Sequence, residues 1–115
     1  MNPAIYNLPT GYRGDTYGPI TFRFYNNSGS GINLSGAAGA LQVKQAQDFP
    51  TVLQWLTSDN SMVISGNVVT LLPKSGICMQ MMPGNYYYDL QLISGASTRT
   101  YLKGTLPIDG DITSI

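Results

Sequence analysis

Apolar and polar residues alternate along much of the chain, and Gly and Pro interrupt the alternation at short intervals. A period of two marks a strand with one buried face. In residues 20–25, ITFRFY, Ile20, Phe22 and Phe24 fall on one side and Thr21, Arg23 and Tyr25 on the other. The glycine-rich run NNSGSG follows as a turn. Residues 38–45 predict a second strand with Leu41 and Val43 inward, and residues 51–57, TVLQWLT, a third with Leu53 and Trp55 inward. In that third strand Val52 and Leu56 offer the opposite face as an alternative. Residues 62–64 and 68–72 flank Ser65-Gly66-Asn67 and read as a tight hairpin.

The clearest alternation lies in residues 84–93, GNYYYDLQLI. Tyr86, Tyr88, Leu90 and Leu92 share one face; Tyr87, Asp89, Gln91 and Ile93 share the other. A turn at residues 94–97 returns the chain through residues 98–107, with Leu102 and Leu106 in phase. Regularly spaced short strands predict an all-β, immunoglobulin-like β-sandwich of about seven strands. The expected core is Phe22, Phe24, Leu41, Val43, Trp55, Tyr86, Tyr88, Leu90, Leu92 and Leu102. Residues 73–83, PKSGICMQMMP, break the pattern; Ile77, Met81 and Met82 have the spacing of a helical turn.

Residues 1–19 stand apart as an N-terminal arm or edge strand, leaving residues 20–115 as the sandwich domain. Pro3 and Pro9 disfavour an inner strand, because proline has no backbone donor. Ile5, Tyr6, Leu8 and Tyr12 are too apolar for a solvated tail. The expectation is an extended segment docked on a neighbouring subunit, by addition to its sheet edge.

Composition narrows the function. Charged residues make up only 10% of the 115-residue chain, and six Lys and Arg balance six Asp. This balance leaves no electrostatic footprint for a nucleic acid and no steering towards an anionic membrane. No stretch has the length of a membrane span, and the first ten residues do not read as a signal peptide. There is no His and no Glu. A nucleophilic triad lacks its usual base, and with one cysteine, Cys78, a zinc site lacks its ligands. Cys78 reads as a small buried hydrophobe, in a chain made in a reducing compartment. Asp109 and Asp111 flank Gly110; they read as turn caps rather than as an acid pair or a calcium site. Arg13-Gly14-Asp15 spells the integrin-binding tripeptide and reads as a turn before a strand. No catalytic residue, cofactor or metal is expected.

Eight tyrosines remain to be placed. Tyrosine combines an apolar body with a polar tip and is enriched at interfaces. Ile5, Tyr6, Leu8, Tyr12, Tyr17 and Tyr25 therefore form a candidate assembly surface; half-buried strand positions are the alternative for the tyrosines.

The order of motifs also carries a resemblance. Arg13-Gly14-Asp15-Thr16 precedes an aromatic strand, Ile32-Asn33-Leu34-Ser35-Gly36 follows, and Pro83-Gly84-Asn85-Tyr86-Tyr87-Tyr88-Asp89-Leu90 and Tyr101-Leu102-Lys103-Gly104-Thr105-Leu106 come later. This resembles the small immunoglobulin-like structural proteins of tailed bacteriophages, including the N-terminal domain of baseplate upper proteins. Ser35 replaces the Thr of that pattern, and Met82 and Pro83 stand where it has Pro and Ala. The receptor-binding region of full-length baseplate proteins is expected to be absent. The resemblance implies a virion component assembled in the host bacterial cytoplasm, with other virion proteins or further copies of itself as partners. A tail, baseplate or fibre-anchoring adaptor is the first expectation. Capsid decoration or a head fibre is the second, and a carbohydrate-binding adhesion module the third.

Overall fold

The computed structural model describes residues 4–26, 28–76, 79 and 81–110. Within them the chain is all-β. Two short strands, β1 (Ala4–Ile5) and β2 (Gly11–Tyr12), precede seven longer ones: β3 (Ile20–Arg23), β4 (Ala38–Lys44), β5 (Thr51–Leu56), β6 (Met62–Ser65), β7 (Val68–Leu71), β8 (Gly84–Ser94) and β9 (Ser97–Asp109). They form two sheets. The larger has the order β1-β9-β8-β4-β5, with β2 also paired to β9; the smaller has the order β3-β7-β6.

The alternation in the sequence explains which faces meet. In β8, Tyr86, Tyr88, Leu90 and Leu92 are buried, while Tyr87, Gln91 and Ile93 are exposed. In β4, Leu41 and Val43 are fully buried, and in β5 the inward pair is Leu53 and Trp55. The smaller sheet contributes Ile20, Phe22, Met62, Val69 and Leu71 to the same core. Trp55 ties the two layers together: its indole N–H donates to the Leu72 carbonyl at 2.8 Å, and the Lys74 ammonium lies 5.3 Å from the ring centroid. Leu102, on β9, is buried as well.

Phe24 corrects the expected core. It is half-buried and packs at the core's edge, because it lies one residue beyond the end of β3, opposite Asn67 in the turn of the β6–β7 hairpin. The hairpin between β6 and β7 turns at Gly66, whose φ of 59° is the left-handed conformation that glycine adopts without strain. Cys78, Ile77 and Asp111, and with them the buried-thiol reading, the helical turn and the acidic pair, lie outside the described residues.

Candidate binding surfaces

The N-terminal segment follows its own chain. Ala4 and Ile5 run parallel to β9 opposite Leu102 and Lys103, and Gly11 and Tyr12 lie opposite Ile108 and Asp109. Tyr6 N–H donates to the Lys103 carbonyl and Leu8 N–H to the Thr105 carbonyl, both at 2.9 Å; Arg13 N–H donates to Asp109 at 2.8 Å. Asn7 Oδ1 accepts from Thr105 N–H at 3.2 Å. The ladder thus continues past Pro9 by skipping it.

Two buried tyrosines fasten this segment from inside. Tyr88 Oη donates to the Tyr6 carbonyl. Tyr17 Oη donates to the Pro9 carbonyl at 2.6 Å. Burial pushes both phenols well above the ordinary tyrosine range. Gly104 permits the close approach: a Cβ there would lie 2.1 Å from the Tyr6 carbonyl oxygen. A third phenol, Tyr86, donates to the Met82 carbonyl at 2.7 Å and pins the loop before β8.

The candidate assembly surface is therefore divided. Ile5 is 75% exposed, and Tyr6, Tyr12 and Tyr25 are exposed too. Leu8, 3% exposed, and Tyr17, 6% exposed, are corrected out of it. Leu8 enters the core where its segment is hydrogen-bonded to β9, and the Tyr17 ring packs 6.2 Å from that of Trp55. Within the chain, the segment pairs with its own sheet through β1 and β2.

The exposed members gather at a seam. β1 ends the order of the larger sheet and β3 that of the smaller, so among the described residues two strand edges lie beside each other without a ladder between them. The cleft at this seam, ≈ 680 Å³, is lined by Ile5, Tyr6, Phe22, Phe24, Tyr25 and Tyr101 among others. The rings form a chain: Tyr6 packs edge-on to Phe22 with centroids 5.8 Å apart, Phe22 lies 6.5 Å from Phe24, and Phe24 packs edge-on to Tyr101 at 5.6 Å. Ile20 and Phe22 face the core, and Phe24 N–H bonds to Asn67 in phase with the β3–β7 ladder. Thr21 and Arg23 consequently turn their backbone groups to the free edge.

A second concavity covers the outer face of the larger sheet, ≈ 700 Å³ in volume. Register aligns one residue from each of five strands across it. Ile5 lies opposite Lys103, Lys103 opposite Asp89, Asp89 opposite Gln42, and Gln42 opposite Gln54. The adjacent row runs Thr105, Tyr87, Lys44. These outward residues follow from the parity of each strand; their alignment into rows depends on pairings that no local pattern encodes.

The Arg13-Gly14-Asp15 tripeptide forms a turn. Asp15 N–H donates to Tyr12 and Gly14 N–H to Met79, and the Gly14 carbonyl faces Gly76. Among the described residues no three carboxylate or thiol side chains gather to hold a metal.

No known protein family matches the sequence, and no curated protein matches it.

Proposed function

We propose that the chain is a non-enzymatic structural protein of a tailed-phage virion, an adaptor of the tail, baseplate or a fibre anchor that acts through protein–protein contacts. The observation that carries this reading is the aromatic cleft between the free edges of β1 and β3. An exposed strand edge beside apolar rings is a template for an extended segment of another chain. Main-chain groups of Thr21 and Arg23 supply hydrogen bonds, and the ring series from Tyr6 to Tyr101 supplies apolar contact. The low charge of the chain suits a surface covered by protein in the assembled particle.

The strand order supports an immunoglobulin-like reading. Taking β3, β4, β5, β6, β7, β8 and β9 as strands B, C, C′, D, E, F and G gives one sheet B-E-D and another G-F-C-C′. Tyr86, near the start of β8 with its hydroxyl bonded to a carbonyl upstream, supports the same reading, since a tyrosine corner makes a bond of that kind. The phage setting rests on the resemblance in motif order.

The test is to purify particles of the phage that encodes the chain and wash them at high salt. The chain should remain at a fixed stoichiometry to the major tail or capsid protein by quantitative mass spectrometry. Its absence from washed particles overturns the reading.

A further inference from the structure

We infer that the outer face of the larger sheet is a binding site for an oligosaccharide. This site adjoins the β1–β3 cleft, sharing Ile5 with it, but its floor lies on other strands and the inference does not rest on that cleft.

The groove is built rather than incidental. Its floor is β9, β8 and β4; the N-terminal segment, with Ile5 and Asn7, walls one side, and Ala46 and Gln47, beyond β4, wall the other. The first wall stands only because Gly104 lets the Tyr6 backbone approach β9. Asn7 is held in place by its Oδ1 bond to Thr105, so the amide nitrogen remains to donate.

The chemistry of the floor selects the ligand. Gln42, Gln91, Asn7 and Thr100 offer amide and hydroxyl groups that both donate and accept, as sugar hydroxyls do. The Gln42 amide reaches that of Gln54 only at 3.4 Å, a weak bond that a ligand hydroxyl replaces readily. Tyr87 projects from this floor and is 55% exposed, a platform for the apolar face of a pyranose. Lys103 and Asp89 lie opposite each other in register, so their charges balance and leave Lys44 as the single excess charge among the groove residues. That balance fits a hydroxyl-rich chain with few charges and disfavours a polyanion. A protein partner fits less well, because the cores of protein interfaces are depleted in Lys and Asp, and here these residues lie in the middle of the floor. Ligand sites combine apolar walls with a few convergent polar groups, and this groove has both.

The experiment titrates the intact protein with maltohexaose, cellohexaose, chitohexaose and hexagalacturonate, followed by amide chemical shifts and calorimetry. At least one of the three neutral sugars should bind with a Kd of about 1 mM or tighter, with shifts concentrated on β4, β8 and β9, and hexagalacturonate should bind more weakly than that sugar. Tyr87→Ala and Gln42→Ala should each weaken binding about tenfold or more, with an unchanged thermal melt. Tyr25→Ala, in the β1–β3 cleft, should leave binding unaltered. Failure of all three neutral sugars to bind, or binding that survives both groove substitutions, overturns the inference. Concentration-dependent self-association abolished by Tyr87→Ala, without sugar binding, also overturns it and assigns the face to a second copy of the chain.

Discussion

The phenol of Tyr88, in the middle of the longer sheet, donates its hydrogen bond to the backbone carbonyl of Tyr6, 82 residues earlier in the chain. One side chain therefore joins the core to the N-terminal segment. Tyr88→Phe keeps the ring and removes the donor. It should lower stability by about 1 kcal/mol, the net worth of one such bond. It should also speed hydrogen exchange at the Tyr6 and Leu8 amides more than at β4. Chemical denaturation with exchange mass spectrometry measures both; equal exchange at the two sites would separate Tyr88 from the segment.

Gly104 makes the same attachment sterically possible. With 2.1 Å between a new Cβ and the Tyr6 oxygen, Gly104→Ala must displace the segment or shift β9. The expected loss is about 1–3 kcal/mol, the range for overpacked sites. A urea midpoint equal to the parent's would contradict the close approach.

Deletion of residues 1–10 removes Leu8 from the core and leaves Tyr88 and Tyr17 without their acceptors. Emptying a leucine site alone costs about 2–5 kcal/mol. The truncated protein should melt well below the parent. An unchanged melt would make the segment dispensable to the fold.

Alternation made β3, β4, β5, β8 and β9 legible in the sequence. Successive inward residues such as Tyr86, Tyr88, Leu90 and Leu92 repeat a signal often enough to read. β1 and β2 were not legible, because two-residue strands carry no period and their pairing is set by β9, about a hundred positions away. Leu8 and Tyr17 were misplaced for the same reason: a single buried residue between prolines and turns has the same local sequence as an exposed one. Tyr6, Tyr12 and Tyr25 are exposed, but the cleft beside Tyr6 and Tyr25 depends on which strand edges stay unpaired. The five-residue row across the larger sheet was hidden too, since a solvated face and a ligand groove share one polar pattern.

Alkali should weaken the fold through Tyr17 and Tyr88. Burial raises both phenols in the folded state above the unfolded value of about 10. Below that pH both states are protonated and the stability is complete. Above it the unfolded chain ionises while the folded one does not, so stability falls as pH rises towards the folded values. Urea midpoints measured from neutral pH upward should be flat and then decline above about pH 10. Tyr17→Phe should decline less steeply. A parallel decline in that variant would remove Tyr17 from the effect.

The assembly account predicts where the particle should touch this chain. A cryo-electron microscopy map of the intact virion, at a resolution that shows side chains, tests it most directly. It should show an extended segment of a neighbouring chain beside Thr21 and Arg23, with apolar side chains against Phe24, Tyr25 and Tyr101. A map in which every copy of the chain presents that cleft to solvent would contradict the account.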